Sequence, residues 1–271
     1  MEERYDTWAT GDGYERYMGR WSRPVADAFT ASLGVGPGAR WIDAGCGTGA
    51  LAGAVAARCL PELVLGVDRS AAFVTAAART AAAEYGARGP VFAVADAQAL
   101  PVRDGAFDAA VSALALNFLP DPGAAVAEAA RAVRPGGLVA AYVWDYAGGM
   151  GLLGHFWDAA VALDPSAAGL DERRRFPLCR PGPLRTLWTG AGLGAVEVVP
   201  VEVPTVFTGF ADLWEPFLAG QGPAPGYTAS LGPAGRARLR EALAGSLPVR
   251  PDGSIALTAR AWAVSGRRAG R

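Results

Sequence analysis

The chain has 271 residues, 51% of them hydrophobic, and a formal net charge of −1 at pH 7. All 25 basic residues are arginine, and the near-neutral charge excludes the basic excess that would favour nucleic acid or an anionic membrane as a partner. Cys46, Cys59 and Cys179 lack metal-ligand or disulfide spacing, so we expect no metal site and a reducing, cytoplasmic location. The lack of a signal-peptide core, or of an apolar run of about 18 residues, predicts a soluble protein.

The N-terminal residues 1–37 are predicted to form a cap. They carry a set of aromatic side chains, namely Tyr5, Trp8, Tyr14, Tyr17 and Trp21. An amphipathic helix is predicted over residues 24–33, and Pro37-Gly38 then predicts the turn into the first strand.

Strands and helices alternate over the next hundred residues. The predicted strands are 39–44, 63–68, 90–96, 107–113 and 138–144, and the predicted helices are 51–60, 71–85 and 123–133, the last ended by Pro135-Gly136-Gly137. Such alternation predicts an α/β fold with a doubly wound, Rossmann-like parallel sheet. Ligands of these sheets lie beyond the carboxyl ends of the strands, so we expect the functional residues there.

Beyond residue 145 the pattern is less regular. It predicts a helical lid over 148–169, a helix over 182–191, a strand over 195–203 interrupted by Pro200, a largely helical insertion over 210–248 and a last strand over 254–264. We therefore predict a single domain, with a core over 38–145, an N-terminal cap over 1–37, lid and C-terminal insertions over 146–250, and the last strand.

The glycine-rich turn after the first strand, WIDAGCGTGALAG over residues 41–53, fits two cofactor templates. Gly45-x-Gly47-x-x-Ala50 satisfies the dinucleotide pattern, whereas Asp43 ahead of the same glycines looks like a loop that holds S-adenosylmethionine. A P-loop is excluded because it requires a lysine. Asp68 follows at the spacing of about 20 residues expected of a ribose-binding carboxylate, which both cofactors would use.

Two acidic residues separate the templates. Asp43 is aimed at the volume of a dinucleotide pyrophosphate and would repel it, whereas S-adenosylmethionine offers an ammonium group and a sulfonium there. Asp96 can accept a hydrogen bond from an adenine amine beside the backbone N–H of Ala97, although capping of the next helix explains Asp96 as well. A nicotinamide-dependent oxidoreductase remains as the alternative.

The sequence resembles a known family through an ordered set of motifs. These are WIDAGCGTG, GVDRS, VADAQALP, FDAAVSALALNFLPDP and RPGGLVAAYVW, which together resemble the class I S-adenosylmethionine-dependent methyltransferases of the bacterial small-molecule, type 11-like kind. The resemblance covers about residues 38–145, and the flanks YMGRWSR, GQGPAPGY and DGSIALTARAWAV resemble a bacterial subgroup of that family. It implies a seven-stranded sheet in which the last strand, 254–264, is antiparallel.

The resemblance also implies S-adenosylmethionine as cofactor and a set of residues that bind it. Asp43 and the backbone of Gly45, Cys46 and Gly47 would contact the methionine part, with Cys46 as a small spacer. The remaining cofactor residues would be Asp68 at the ribose, Arg69, Asp96 and Ala97 at the adenine, the backbone near Ser112 at the amino group, and Arg20 at the carboxylate. A surface role explains Arg20 equally well.

Methyl transfer is an in-line displacement that requires alignment of the acceptor and, for a weakly acidic acceptor, a base. His155 is the candidate base by residue type, with packing or capping as its alternative role, and Asp145 is a second candidate with a structural alternative. Asn117 is predicted to orient the acceptor. Trp144, Gln221 and Tyr227 are predicted to wall a pocket for a small or medium organic acceptor, although turn and core roles explain them too.

The acceptor atom, whether oxygen, nitrogen or carbon, stays open. A protein that binds S-adenosylmethionine without transferring its methyl group also stays open, because intact loop residues are compatible with both. We expect a monomer or homodimer.

Overall fold

The structure is a computed structural model that describes residues 18–218 and 222–270. The aromatic residues predicted for the cap before Trp21, and the predicted substrate residue Gln221, lie outside the described residues. The chain divides into two compact units. We call Ser22–Val143, Leu178–Val201 and 261–270 the core unit, and 18–21, Trp144–Pro177 and Glu202–Arg260 the helical unit. The prediction of a single domain stays a prediction.

The core unit contains seven strands, wholly or for most of their length. They are β1 (Arg40–Ala44), β2 (Leu63–Asp68), β3 (Val91–Val94), β4 (Phe107–Ala113), β5 (Val133–Trp144), β6 (Leu193–Phe207) and β7 (Ile255–Arg268). Its helices are α1 (Arg20–Ser32), α2 (Ala50–Arg58), α3 (Ala71–Tyr85), α4 (Pro122–Ala132) and α7 (Pro181–Gly190), with short 3₁₀ turns at Gly86–Arg88 and Leu116–Phe118.

The strands form one sheet in the order β3-β2-β1-β4-β5-β7-β6. The pairs β1/β2, β1/β4, β2/β3 and β4/β5 are parallel. Near the end of the chain, Ala259 of β7 bridges Met150 in the antiparallel sense. The reversal of chain order at β1, with β2 on one side and β4 on the other, creates the crevice in which such sheets bind ligands. The predicted fold class is confirmed.

Local sequence explains where the crossover helices begin. Ser70 caps α3 by accepting a hydrogen bond of 3.3 Å from the Phe73 N–H, and Asp121 caps α4 with one of 2.9 Å from the Ala124 N–H. Side chains on β1, such as Trp41 and Ile42, are fully buried. α3 therefore starts directly after the end of β2, whereas α4 follows β4 only after the segment 114–121, which contains the 3₁₀ turn Leu116–Phe118.

The helical unit is built around an aromatic cluster. Its elements are α5 (Gly151–Leu163), α6 (Glu172–Arg175), α8 (Phe210–Trp214), α9 (Pro223–Ser230) and α10 (Pro233–Ser246), with 3₁₀ turns at Pro165–Gly169 and Glu215–Leu218. The ring of Phe156 stacks on that of Phe217 at 4.5 Å and meets Trp157 edge-on at 5.0 Å. No helix among the described residues is long and apolar enough to cross a membrane.

Several predicted strand boundaries were wrong. β6 runs over Leu193–Phe207 instead of 195–203, and β7 ends at Arg268 instead of 264. β5 begins at Val133 and not at 138, because Val133 already pairs with Phe107, so the Pro-Gly-Gly segment lies inside the strand. Pro200 does not interrupt β6, because β6 is an edge strand and an edge tolerates a missing N–H donor. β3 ends at Val94, two residues before the predicted end.

Candidate functional site

The glycine turn after β1 is a tight backbone loop. Gly45, Gly47 and Gly49 all have positive φ angles, of 80°, 52° and 88°. The Gly45 N–H donates a hydrogen bond of 2.8 Å to the carbonyl of Val67 in β2. A Cβ at Gly45 would lie 2.6 Å from the Cβ of Ala115, which follows β4. Glycine is therefore required at position 45 both for the backbone angle and for the close approach of two strand ends.

We expect Gly45→Ala to destabilise the protein much more than Gly47→Ala. Both positions need a left-handed backbone, which costs an alanine about 1–2 kcal/mol, but only at Gly45 does the new methyl group meet a neighbour. The clash should add about 1–3 kcal/mol. Urea unfolding of the two variants measures the difference, and equal losses would show that the contact with Ala115 is unimportant.

Asp43, the last residue but one of β1, is the most unusual side chain of the loop. It is fully buried, and neither carboxylate oxygen has a hydrogen-bond partner among the described residues. Burial raises the pKa of Asp43 to about 7. The Ala52 N–H, which lies outside hydrogen-bond geometry, offsets part of this rise in pKa, and the negative charge of Asp68 adds to it.

The acids that end β2 and follow β3 are held by backbone N–H groups. Asp68 accepts hydrogen bonds of 3.0 Å from the Gly47 N–H and 2.8 Å from the Ser70 N–H. Asp96 accepts a bond of 2.9 Å from the Gln98 N–H, and the bonds from Gln98 together with the charge of Arg69 lower its pKa. Asp96 therefore holds a turn over residues 96–99 and does not cap a helix, because the next helical segment begins only at Leu116. Its carboxylate stays ionised beside Arg69.

Other predicted cofactor residues lie around the same loop. Ser112 is buried and donates a 2.7 Å hydrogen bond to the carbonyl of Ala44, which joins the ends of β4 and β1. Cys46 is buried, and desolvation together with the charges of Asp43 and Asp68 raises the pKa of its thiol far above the usual range. Such a thiol is inert, in agreement with its interpretation as a spacer.

The segment after β4 contains a second buried polar group without a partner. Asn117 lies in the 3₁₀ turn Leu116–Phe118, and its Nδ2 atom is buried with no hydrogen-bond partner among the described residues. Leu114, just before this turn, has a φ of 57°, which is rare for a residue with a side chain. Its N–H is tied to the carbonyl of Tyr142 in β5 at 2.8 Å.

Two predicted residues of the helical unit are ion-paired. Asp145 is buried, and its Oδ2 accepts hydrogen bonds from Arg260 Nε at 2.7 Å and Nη2 at 2.6 Å. Arg20 pairs with Asp212 at 2.9 Å, and its guanidinium lies 5.2 Å from the centre of the Phe207 ring. These contacts favour the structural alternative for each residue, because each charged group already has an ion-pair partner within the helical unit.

Of the other predicted residues of the helical unit, Trp144 and Tyr227 are buried and His155 is half-buried. His155 Nδ1 lies 3.3 Å from the hydroxyl of Ser246 on α10. Trp144 is buried at the end of β5. Tyr227 is buried against Trp157, with its hydroxyl 3.5 Å from an oxygen of Asp164. Their catalytic and substrate roles stay predictions.

Sequence reasoning missed two neighbouring buried acids, Asp171 and Glu172. Glu172, the first residue of α6, is buried and accepts a hydrogen bond from the Trp157 indole N–H. Burial raises its pKa to about 7. Its neighbour Asp171 is also buried, but is paired with Arg173 at 2.7 Å. No local signal distinguishes Glu172 in the run DERRR, which looks like an exposed helical turn.

The fold and the loop together define the class of protein. A doubly wound sheet with a glycine turn after β1 and acids at the ends of β2 and β3 is a nucleoside-cofactor-binding domain. Residues 42–141 match the family model described as "Methyltransferase domain". Over residues 42–141 the chain is therefore similar to the methyltransferase family that its motifs resemble, and the predicted resemblance is confirmed for this region.

Relatives by sequence cover only part of the chain. An uncharacterized protein of Mycobacterium tuberculosis is 33% identical over 152 residues, 53% of this chain and 51% of its own. Malonyl-[acyl-carrier protein] O-methyltransferase of Pseudescherichia vulneris is 36% identical over 124 residues, 44% of each chain. The chain thus spans about half the length of the curated relatives it matches.

Solved structures share the fold over most of the chain. The YcgJ protein of Bacillus subtilis superimposes with a TM-score of 0.59 at 16% identity, covering 92% of this chain and 99% of its own. At that identity the likeness shows the fold and does not identify a substrate.

Proposed function

We propose that the protein binds S-adenosylmethionine and transfers its methyl group to a small or medium organic acceptor. The observation that carries the proposal is the carboxylate of Asp43, buried beside the glycine turn without a counter-ion or hydrogen-bond partner among the described residues. A buried acid of this kind destabilises the protein unless a ligand compensates it. The match of residues 42–141 to a methyltransferase family supports the same conclusion.

The residues present fit this cofactor better than a dinucleotide. An ammonium group would compensate the charge of Asp43, whereas the phosphates of a nicotinamide cofactor would add a second negative charge in a desolvated site. The carboxylates of Asp68 and Asp96 are oriented by backbone N–H groups and keep free lone pairs for ribose hydroxyls and an adenine amine. Gly47 leaves open space where a Cβ would stand.

The cofactor, when bound, supplies a methyl carbon already activated by the sulfonium. The protein therefore contributes position and desolvation, and a chemical base is needed only for a weakly acidic acceptor. Asp43, Cys46 and Ser112 are buried, so the loop holds its ligand away from water. The hydrogen bond from Ser112 to Ala44 keeps the ends of β4 and β1 in a fixed relation, which limits misplacement of the ligand.

The acceptor side belongs to this proposal as well. Arg20, Arg69 and Ala97 are retained as proposed cofactor residues, and His155, Trp144 and Tyr227 as proposed acceptor-side residues. We prefer His155 to Asp145 as the proposed base, because Asp145 is already paired with Arg260. The acceptor is proposed to be a small molecule.

Calorimetry with S-adenosylmethionine, S-adenosylhomocysteine and NAD tests the cofactor assignment. We expect both adenosyl compounds to bind and NAD not to bind. Turnover is then followed as S-adenosylhomocysteine release in the presence of a panel of phenols, amines and carboxylic acids. Binding of NAD alone would overturn the proposal, and binding without turnover on any acceptor would support the non-transferring alternative.

A further inference from the structure

The polar side chains at the carboxyl ends of the core strands fall into two groups. Asp68, Asp96 and Ser112 have protein partners at 2.7–3.0 Å. Asp43 and Asn117 have buried side-chain atoms with no partner among the described residues. Most buried polar atoms in native proteins are hydrogen-bonded, so both exceptions require an explanation. The ammonium group of the proposed cofactor compensates Asp43, but it offers no hydrogen-bond acceptor for the side-chain amide of Asn117.

The backbone around Asn117 is built to hold one conformation next to the glycine loop. Ala115 lies so close to Gly45 that no side chain fits between them. Leu114 is kept at a positive φ by its hydrogen bond to Tyr142. Strained backbone of this kind persists where the surrounding structure fixes it and is concentrated at ligand sites. The 3₁₀ turn Leu116–Phe118 is therefore presented rigidly at the end of β4.

We infer that Asn117 is a ligand-binding residue whose side-chain amide donates a hydrogen bond to an oxygen atom of a bound small molecule. An amide NH₂ can only donate, so its partner must be an acceptor such as a carboxylate or carbonyl oxygen. The inference rests on the proposed function, because it assumes that a small molecule binds at this end of the sheet. The ligand must then supply a hydrogen-bond acceptor for Asn117 in addition to the positive group that compensates Asp43.

Two molecules can supply that oxygen. One is the cofactor, through its own carboxylate. The other is the methyl acceptor, which would then carry an oxygen close to its reacting atom. Asp43 favours a positively charged group of the ligand, and Asn117 favours an oxygen atom. The two unpartnered side chains therefore favour a ligand, or a pair of ligands, that carries both groups.

The first test is the stability of Asn117→Leu, a change that removes the donor and keeps the size. A donor without a partner destabilises the ligand-free protein, so we expect the melting temperature to rise by about 2–4 °C. A fall in melting temperature would show that the amide has a partner in the protein and would overturn the inference. Asn117→Ala serves as a second variant if the leucine prevents folding.

The second test measures ligand binding by the same variants. S-adenosylhomocysteine is compared with its decarboxylated analogue, and benzoate is titrated onto the S-adenosylhomocysteine complex. If the oxygen belongs to the cofactor, Asn117→Leu weakens S-adenosylhomocysteine about tenfold and leaves the analogue unchanged. If it belongs to the acceptor, cofactor affinity is kept and benzoate binding is lost. Unchanged affinity for all three ligands would overturn the inference.

Trp41 provides a matched control. Its indole N–H is also buried and unpartnered among the described residues, but it lies near the amino end of β1, away from the glycine loop. Trp41→Phe should leave the affinities for all three ligands unchanged. If the wild-type protein does not bind S-adenosylhomocysteine, the proposed function is wrong. If the wild-type protein binds it and the Asn117 variants bind all three ligands equally well, only this inference is wrong.

Discussion

Replacing Asp43 by asparagine is expected to weaken the binding of S-adenosylmethionine about 100-fold, or about 3 kcal/mol. Asparagine has the same shape, so the loop keeps its backbone and only the charge that faces the cationic ligand is lost. The effect should be large because the carboxylate is fully buried and has no other partner among the described residues. Calorimetry with the wild-type and variant proteins measures it directly.

The matched ligand control is 5′-methylthioadenosine, which keeps the adenosine and lacks the amino-acid part. Its affinity should not change in Asp43→Asn, because Asp68 and Asp96 are untouched. Equal weakening of both ligands would indicate a collapsed loop, and unchanged affinity for S-adenosylmethionine in this variant and in Asp43→Ala would contradict the role of Asp43.

The raised pKa of Asp43 makes both stability and binding depend on pH. The Asp43 carboxyl ionises near pH 4 in the unfolded chain and near pH 7 in the folded protein. The free energy of unfolding therefore falls progressively as the pH is raised from 4 to 7. The difference between wild type and Asp43→Asn should change by about 4 kcal/mol across this range. A cationic ligand needs the ionised form, so wild-type affinity should rise about tenfold from pH 6 to pH 7.5 and that of the variant should not.

Replacing Arg260 by methionine is expected to destabilise the protein by about 3–5 kcal/mol. The substitution leaves the carboxylate of Asp145 without its counter-ion. Because this carboxylate is buried, water cannot solvate its charge either. Urea unfolding followed by circular dichroism measures the loss. Limited proteolysis of the helical unit should show earlier cleavage over 144–150.

The companion variant Asp145→Asn separates the two roles considered for that residue. If Asp145 is a structural partner of Arg260, the variant loses stability while its acceptor turnover falls only in proportion to the folded fraction. If it is a catalytic base, stability is little affected and turnover is abolished with cofactor affinity intact. The contacts with Arg260 favour the first outcome. Arg134→Met, which breaks the more exposed pair with Asp108, should cost about 1 kcal/mol or less and serves as a control.

Local pattern was enough to predict the core of the molecule. The alternation of apolar runs with alanine-rich helical segments predicted the strands β1, β2 and β4 at or within one residue of their observed bounds. In a parallel sheet these strand ends meet at one edge, so chain order and residue type alone assign Asp43, Asp68 and Ser112 to one site. The early start of β5 and the unbroken course of β6 through Pro200 are errors of prediction at a local Pro or Gly signal that the folded strand overrides.

The partners of the polar side chains depend on contacts between distant parts of the chain. Asp145 and Arg260 are 115 residues apart, and Arg20 and Asp212 are 192 apart, so nothing in either local sequence distinguishes a structural acid from a catalytic one. The same holds for Glu172, whose burial under Trp157 is not visible in a charged run.

Periodicity and residue type at the strand ends are properties of the amino-acid sequence, and they were sufficient for the class of fold and for the position of the glycine turn after β1. The sign of charge that this turn prefers stays a prediction. Which of the candidate polar groups are satisfied became visible only in the folded chain, because hydrogen bonding and desolvation depend on everything packed around an atom. Asp43 and Asn117 are the most informative residues of the site because the Asp43 carboxylate and the Asn117 Nδ2 atom are buried with no hydrogen-bond partner among the described residues.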